Sequence, residues 1–511
     1  MRRLFLFAIG GTGARVVRSL TMMLASGING LDSKTEIVPI IIDYDLSNGD
    51  KTRAISALKK YTQIHDSLYP DTDILYDDHF FMTRLTPLSQ TGIANANGLK
   101  DFELNFGPST LSVKFSDYLK MSQMNTNPDE RLTEELLNAL YDNSPADSKD
   151  AELELDMTKG FKGNPNIGTV VFHDLRETNE FRMFESVFDA DRDAVFIVSS
   201  IFGGTGASGF PEIVKAIRSS DRATLNPAKI GAALVLPYFD LQQCDPTRGD
   251  TGAIDAGSFN AKAKAALAYY ATSEGMNGKV NALYYVGDEH HDAYEYNEGE
   301  DRQKNAAHVV EFVAASAILD FMEENRQLEI ARNHNAYEFS IKDAREETSI
   351  QLPDFHRSTH SLVLDDLSCF ALAMKFYRDV VCGDRHAENS NTAYFGSSRF
   401  DMGKRLGRGL YENLDNFLDS AGTNNWGFYS WLAELRQHAH KLFLYCMDKD
   451  TEMKNVLPYK TIPEHLFNKP IADDTISSEL NNMSKKLTVF SEQAFLKILR
   501  DVVKQKYNEV K

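Results

Sequence analysis

Two copies of one glycine-rich tetrapeptide are the residues of this sequence best suited to chemistry. GGTG occurs at Gly10–Gly13, within 4-LFLFAIGGTGARVVRSL-20, and again at Gly203–Gly206, within 196-FIVSSIFGGTGASGFPEIVKAI-217. Each copy follows an apolar run typical of a buried strand and precedes a helical pattern. Glycine lets backbone N–H groups approach an anion, and the N-terminus of a helix adds unpaired amides and a favourable dipole. The pattern therefore predicts binding of phosphate groups.

A third glycine loop lies between these two in 160-GFKGNPNIGTVVFHDL-175. Several such loops at the carboxyl ends of parallel strands could wrap a triphosphate. The sequence has no GxxxxGK[ST], so it is not a P-loop enzyme. We expect the phosphate charge to be met by backbone amides, by the hydroxyls of Thr12, Thr205 and Ser208, and by a metal ion.

A Rossmann-type dinucleotide site is the alternative interpretation of the first loop. Gly10–Gly13 fits that fingerprint loosely, with Asp43 or Asp45 after the second strand as the ribose acceptor. The second GGTG loop and GNPNIG argue against an NAD- or FAD-dependent enzyme.

Strand and helix patterns alternate along the first 325 residues and predict an α/β fold, doubly wound around a mostly parallel sheet. The predicted strands are Leu4–Ile9, Glu36–Asp43, Ala194–Ser200, Ile230–Pro237 and Ala282–Gly287. The predicted helices are Ala14–Leu24, 130–142, Gly209–Ser219, Ser258–Thr272 and the long central helix Lys304–Glu324.

We predict a nucleotide-binding domain over 1–325, with an acidic insertion at about 50–155, followed by a mainly helical C-terminal domain over 326–511. In the latter, apolar residues recur at three- and four-residue steps typical of one helix packed on the body of the protein, with a partner-binding or coiled-coil helix as the alternative. These residues are Leu480, Met483, Leu487, Phe490, Ala494 and Ile498.

Composition excludes several classes of function. The 511 residues carry a net charge of −19, which disfavours nucleic acid as a partner because such a surface repels phosphate backbones. No apolar run approaches the roughly 20 residues of a membrane span. Four cysteines without CxxC spacing predict neither a zinc site nor a disulfide framework, and they fit a cytoplasmic location.

Four motifs in order resemble the tubulin/FtsZ superfamily of GTP-binding proteins. FGGTGASG at Phe202–Gly209 is similar to the signatures GGGTGSG and GGGTGTG, and the first GGTG loop is similar to the family's first loop. IIIDYD matches an acidic loop after the second strand, and GNPNIG is similar to GANPE[IV]G, which contacts the γ-phosphate. The resemblance covers roughly 1–50 and 155–325. Phe202 and Ser208 replace signature glycines. The long stretch of chain between the acidic loop IIIDYD and GNPNIG makes the sequence more similar to divergent bacterial tubulin-like proteins.

The resemblance implies a site for GTP or GDP with Mg²⁺. The implied nucleotide-binding residues are Gly10, Gly11, Thr12, Gly13, Arg15, Asp43, Asp45, Gly163, Asn164, Gly203, Gly204, Thr205, Gly206, Ala207 and Ser208. The family presents an Asn or Asp near the start of the central helix to the base, and Asn305 and His308 are the matching candidates.

The resemblance also implies head-to-tail self-association, in filaments or smaller oligomers, with GTP hydrolysis completed by an acidic loop of the next subunit. The FtsZ form of that loop, NxDxxD, is missing, and the candidate catalytic carboxylates are Asp320, Glu323 and Glu324. The alternative is a guanine-nucleotide sensor that never polymerises and works beside other proteins in a multi-protein bacterial system.

Overall fold

The structure of the protein is a computed structural model. It describes residues 2–28, 31–45, 47–71, 74–92, 99–106, 114–124, 127–141, 152–241, 259–272, 276, 278–288, 292–294, 304–324, 335–341, 348–350, 365–378, 408–419, 422–442, 473–486 and 491–510.

One parallel sheet of eight strands forms the centre of the molecule, in the order β10-β8-β6-β5-β1-β2-β3, with β4 also paired to β2. Two pairs of short strands, β7 with β9 and β11 with β12, lie outside it. The strands are β1 Arg2–Ile9, β2 Thr35–Ile42, β3 Arg84–Leu85, β4 Glu103–Leu104, β5 Asp193–Ser200, β6 Lys229–Val235, β7 Phe239–Leu241, β8 Ala282–Asp288, β9 Asp292–Tyr294, β10 Asn335–Ile341, β11 Thr348–Ile350 and β12 His440–Leu442.

Helices connect and cover these strands. They are α1 Gly10–Ala25, α2 Gly49–Leu68, α3 Phe115–Tyr118, α4 Pro128–Leu140, α5 Pro165–Phe172, α6 Asn179–Val187, α7 Gly204–Arg218, α8 Phe259–Tyr270 and α9 Val309–Glu324. Further helices span Asp365–Phe376, Arg408–Leu418, Phe428–Glu434, Asp473–Ser484 and Glu492–Val510. Within the described part of the chain, no helix has the length and apolar character needed to cross a bilayer.

The strand order places a switch point between β1 and β5. From β1 the chain proceeds outward on one side through β2, β3 and β4, and it then returns to place β5 on the other side of β1. Both central strands are almost wholly buried and apolar, as expected for a parallel sheet covered on both faces. Ligands of open parallel sheets bind outside the carboxyl ends of the strands at such a reversal.

The five predicted strands and the α/β class are confirmed. Two predicted helices, α1 and α7, begin earlier than expected, at Gly10 and Gly204, so each glycine loop is itself the first helical turn. The central helix begins later than predicted, at Val309, and therefore leaves Asn305 outside it.

The other differences concern outer strands of the sheet and the C-terminal helices. Two strands from the region predicted as an insertion, β3 and β4, pair with β2, and β10 continues the sheet beyond residue 325. The predicted C-terminal stripe is divided between the helices Asp473–Ser484 and Glu492–Val510. Leu487 and Phe490 of that stripe lie outside the described residues.

The central helix lies against the sheet with almost no space between them. A Cβ atom at Gly231 of β6 would lie 2.7 Å from ring atoms of both Phe196 on β5 and Phe321 on α9. The two rings pack together with centroids 5.2 Å apart. Glycine at this position therefore sets the distance between α9 and the sheet.

We predict that Gly231→Ala lowers the free energy of unfolding by about 1–3 kcal/mol, because the added methyl group overpacks this contact. Urea unfolding measures the effect. Gly92→Ala is the matched control, because a Cβ there meets only the side-chain ends of Val187 and Met183, at 3.0 and 3.2 Å. Equal stability of the two variants would contradict the prediction.

Candidate functional site

The two GGTG loops meet at the switch point of the sheet. Because Ile9 of β1 is paired with Ser199 of β5, the two strands end at nearly the same level and their loops leave side by side. Gly10 adopts a φ of 69°, which glycine reaches without strain. A Cβ atom at Gly10 would lie 3.6 Å from the Cβ of Thr205, so the loops are in direct contact.

The helices that begin at these loops have open N-termini. The N-cap residues are Ile9 for α1 and Gly203 for α7, and neither supplies a capping side chain. Neither helix has an acidic residue in its first turn. By contrast, Asn48 caps α2 and Asn164 caps α5 with their side-chain oxygens. Two uncapped helix N-termini in contact concentrate amide donors and positive potential, which suits an anion.

The third loop packs against the second. A Cβ atom at Gly204 would lie 3.0 Å from the backbone N of Asn164 and 3.2 Å from that of Gly163. The ammonium group of Lys262 on α8 donates to the carbonyl oxygen of Gly163 at 2.9 Å. The three predicted loops therefore lie together, and the ammonium group of Lys262 lies beside the third of them. The side-chain amide of Asn164 contacts Glu152, while its oxygen caps α5.

The hydroxyl groups of the loops differ in whether their protons are already used in hydrogen bonds within the protein. The buried Ser208 hydroxyl donates to the carbonyl oxygen of Gly204 at 2.8 Å, so it serves the helix itself. Thr12 accepts a hydrogen bond from Arg15 at 3.3 Å, which leaves its own proton for another acceptor. Thr205 is half-buried at the contact between the loops. Ala207 contributes its carbonyl oxygen, which accepts from Tyr270 at 2.8 Å.

Other glycines of the loops let the helices approach the strands. A Cβ at Gly13 would lie 2.7 Å from the carbonyl carbon of Ala8, and one at Gly206 would lie 2.3 Å from the carbonyl oxygen of Ser200. Substitution at Gly13 or Gly206 would therefore displace backbone as well as alter the site. Gly11 and Gly203 are half-buried and therefore lie where the site meets solvent.

Acidic residues follow β2, beside the first loop. Because Ile42 is paired with Ile9, Asp43 leaves the sheet next to Gly10. Burial raises the pKa of the Asp43 carboxyl to about 7, and the charge of Asp45 adds to this rise while Lys51 opposes it. Lys51 is itself buried and donates to the carbonyl oxygen of Asp45 at 2.9 Å. Asp43 is thus a buried carboxyl group at the edge of the site, with a pKa above that of an exposed aspartate.

Arg15 of α1 lies in a buried ion-pair network. Its guanidinium donates to Asp50 of α2 at 2.6 Å and to the hydroxyl of Tyr238 at 2.7 Å. It also contacts the carboxylate of Glu311 in the first turn of α9. Burial favours the neutral form of Glu311, but Arg15 and the Tyr238 hydroxyl outweigh it, so the pKa of this carboxyl is below its ordinary value. The network joins the starts of three helices.

The same network reaches the C-terminal part of the chain. Arg53 bonds Asp50 at 2.6 Å and Glu434 at 3.1 Å, and Arg18 bonds Glu434 at 2.7 Å. Three arginines and three carboxylates, with Arg15 and Glu311 included, therefore balance one another in charge. Glu434 ties the helix Phe428–Glu434 to the starts of α1 and α2.

Asn305 is held through its backbone, ahead of the central helix. Its N–H donates to Asp50 at 3.1 Å, and its carbonyl oxygen accepts from Arg53. Two residues on, the N–H of Ala307 donates to Glu434 at 2.8 Å. The predicted contact of the Asn305 side chain with a base stays a prediction.

The buried His308 and His438 form a cluster with the half-buried Asp292, and the possible ligand atoms of the three lie within 4.8 Å of one another. A metal ion would need the lone pair of His308 Nε2. However, Nδ1 of His308 accepts from the N–H of Val310 at 3.1 Å, which leaves the proton of a neutral ring on Nε2, 3.3 Å from Asp292. Burial lowers the pKa of His308 and so favours this neutral ring. The hydrogen bonds therefore describe an Asp–His–His cluster, which fixes the start of α9, better than a metal site.

The predicted catalytic carboxylates lie at the other end of α9. Asp320 is exposed and accepts a hydrogen bond from Tyr284 at 2.7 Å, and Glu323 is exposed. Glu324 is the last residue of the helix. Glu323 lies twelve residues beyond Glu311, a rise of about 18 Å along the helix. These carboxylates are therefore separated from the glycine loops of their own chain.

Comparison with solved structures shows a distant similarity. No protein-family model matches the sequence, and no curated protein matches it. Among solved structures, the chain is similar to CetZ from Methanosaeta thermophila strain DSM 6194, with 15% sequence identity and a TM-score of 0.29. The similarity covers 65% of this chain and 57% of the CetZ chain, so it spans little more than half the length of that neighbour.

Sequence reasoning missed several residues that shape the site. Asp50, Glu311 and Tyr238 bind Arg15, and Lys262 contacts the third loop. Glu311 could have been noticed in the sequence, because it is the lone acidic residue of the mostly apolar run 309–319 within the predicted central helix. Lys262 gave none, because only the folded chain brings α8 to Gly163.

We predict that Arg15→Met lowers the free energy of unfolding by about 3–5 kcal/mol, because it leaves the buried carboxylate of Glu311 without a countercharge and removes one of the two arginines that bind Asp50. Denaturant unfolding measures the loss. Arg182→Met is the matched control. It breaks the Arg182–Glu177 pair, whose side chains are 56% and 72% exposed, and an exposed pair contributes less than about 1 kcal/mol. Similar losses in both variants would refute the structural role of the network.

Proposed function

We propose that the converged loops bind the phosphate groups of a nucleotide, and that the ligand is GTP or GDP with Mg²⁺. The observation that carries the proposal is the contact between two uncapped helix N-termini at the switch point of the sheet. An anion in that position would accept hydrogen bonds from amides of both loops and interact favourably with two helix dipoles. The resemblance to the tubulin/FtsZ signatures supplies the guanine nucleotide.

Two features favour this proposal over a Rossmann-type enzyme. A dinucleotide fingerprint places its pyrophosphate on one helix N-terminus, whereas this chain brings two together and adds a third loop. Lys262 also places a cation beside that third loop, where it would neutralise part of a phosphate chain.

Head-to-tail self-association is the second part of the proposal. Asp320 and Glu323 are exposed at the far end of α9 and are too distant to reach the loops of their own chain. They would reach the nucleotide of a neighbouring molecule stacked in the same orientation. Such a contact does not close on itself, so it would form an open filament rather than a two-fold dimer. Without that contact, the protein would be a nucleotide sensor.

Gly203→Val tests phosphate binding. Gly203 has an extended backbone, with φ −89° and ψ 168°, that valine also adopts. The branched side chain of valine at position 203 should keep phosphate away from the backbone amides at the start of α7. We expect the affinity for Mg²⁺–GTP, measured by calorimetry, to fall at least about tenfold, or about 1.4 kcal/mol.

Gly92→Ala is the control for that measurement, because a Cβ added at Gly92 would meet Met183 and Val187, away from the loops. Unchanged affinity in a folded Gly203→Val protein would exclude the second loop from the binding site.

Asp320→Asn with Glu323→Gln tests catalysis across a subunit contact. We expect the parent protein to hydrolyse GTP slowly, with specific activity that rises with protein concentration because only assembled subunits complete the site. The double variant should lose turnover while its affinity for GTP stays within about a factor of two. Glu177→Gln, which alters another exposed carboxylate, should leave turnover unchanged. Constant specific activity, with light scattering from monomers only, would indicate the sensor instead.

A further inference from the structure

Helix α4 turns an apolar stripe toward solvent. Leu132, Leu136 and Leu140 recur every four residues, so they lie on one face of this helix, along about 12 Å of its length. Their exposed fractions are 67%, 56% and 65%. They make up half of the six large apolar side chains that are exposed in the described part of the chain. Single exposed leucines are ordinary, but a contiguous row of them is typical of an interaction surface.

The opposite face of α4 lies toward the body of the protein, although it carries two carboxylates and an amide. The half-buried residues of the helix and its C-cap recur at three- and four-residue steps, and they are Glu130, Glu134, Leu137, Asn138 and Tyr141. The Tyr141 ring packs edge-on against the buried ring of Phe115 in α3, with the centroids 5.0 Å apart. A surface helix normally buries its apolar stripe, so α4 has the reverse arrangement.

Local interactions hold α4 in helical form without help from the exposed leucines. Asn127 caps the helix by accepting a hydrogen bond from the backbone N–H of Glu130 at 2.9 Å, and Pro128 occupies the first helical position. Leu, Glu, Ala and Arg, which are strong helix formers, fill most of the other positions. The stripe is therefore presented on a preformed helix, and polar substitutions in it should leave the fold intact.

Carboxylates border the stripe. Asp129 and Glu135 are exposed and lie three residues before and three residues after Leu132, which places them on its two sides. The helix as a whole carries four carboxylates and one basic residue, Arg131. The apolar stripe thus lies within negative potential, and a partner that covers it must bring positive charge to its borders.

We propose that this leucine stripe of α4 binds a positively charged amphipathic helix of a partner protein. The apolar residues of the two helices would pack together, and Lys or Arg side chains beside the partner's apolar face would meet Asp129 and Glu135. Charges that border a helix–helix contact set the choice of partner. The surface contains no residue of the glycine loops, so the inference does not depend on the proposed nucleotide.

Charge argues against two other occupants. A second copy of this chain would bring the same acidic borders against themselves, on a protein of net charge −19. A bilayer surface binds helices whose polar faces are rich in Lys and Arg, which α4 is not. A basic amphipathic helix is complementary to both the apolar and the charged parts of the surface.

The test measures the binding of three labelled synthetic peptides to the full-length protein by fluorescence anisotropy. Each is a helix-forming peptide of about 20 residues. The first carries a leucine stripe bordered by lysines, and the second carries the same stripe bordered by glutamates. The third has the composition of the first in an order that gives no stripe. We expect the lysine-bordered peptide to bind at least about tenfold more tightly than either of the others.

A triple variant shows whether the stripe holds the peptide. Leu132→Gln with Leu136→Gln and Leu140→Gln should weaken binding of the lysine-bordered peptide at least about tenfold. Ile74→Gln with Leu75→Gln is the matched control, because it removes exposed apolar side chains outside α4 and should leave the affinity unchanged. Circular dichroism and thermal unfolding verify that both variants are folded.

A charge-reversal variant shows whether the borders select the partner. Asp129→Lys with Glu135→Lys keeps the leucines and reverses the charge on both sides of them. This variant should bind the glutamate-bordered peptide more tightly than the lysine-bordered one, which is the opposite of the order expected for the parent protein.

Several results would overturn the proposal. They are equal binding of the lysine- and glutamate-bordered peptides by the parent protein, binding of none of the three peptides, and parent-like affinity in the triple variant. Self-association of the parent that the triple variant abolishes, without peptide binding, would identify a second copy as the occupant instead. Binding to vesicles of phosphatidylcholine and phosphatidylglycerol that the triple variant abolishes, again without peptide binding, would identify a bilayer.

Discussion

The contact between the starts of α1 and α7 is the constraint on which the rest of this molecule depends. Each helix has N–H groups at its N-terminus without intrahelical partners, and in these two helices no side chain caps them. The parallel pairing of β1 with β5 brings the two N-termini together. Gly13 and Gly206 then let each helix lie directly against its strand. An anion-binding site is thus a consequence of strand order and of glycine placement, and it needs no cationic side chain at its centre.

A second buried cluster holds these helices in place. The three arginines and three carboxylates around Asp50 connect α1, α2, α9 and the helix Phe428–Glu434. Buried ion pairs add little net stability over apolar packing, yet they penalise any arrangement that separates the charges. The network therefore fixes the orientation of the helix starts and joins the C-terminal part of the chain to the site.

The sequence predicted the features that follow from local patterns. Apolar runs located five of the six described strands of seven or eight residues, all but Asn335–Ile341, and glycine after a strand located the loops. Short strands such as Arg84–Leu85 escaped because two residues carry no periodic signal, and they pair only because β2 offers an edge. The helix starts were misplaced because glycine, a poor helix former, nevertheless occupies the first turns of α1 and α7. The partners of Arg15 could not be predicted, since Asp50, Tyr238 and Glu311 are brought together only by tertiary packing.

Hydrogen–deuterium exchange with and without Mg²⁺–GTP tests the central claim most directly, because it reports on the backbone amides that are proposed to hold the phosphates. We predict slower exchange in peptides that cover 9–14 and 203–208, with little change at 305–311, where amides already donate to the carboxylates of Asp50, Glu311 and Glu434. Protection confined to 305–311 or to other segments, with both glycine loops unchanged, would contradict it.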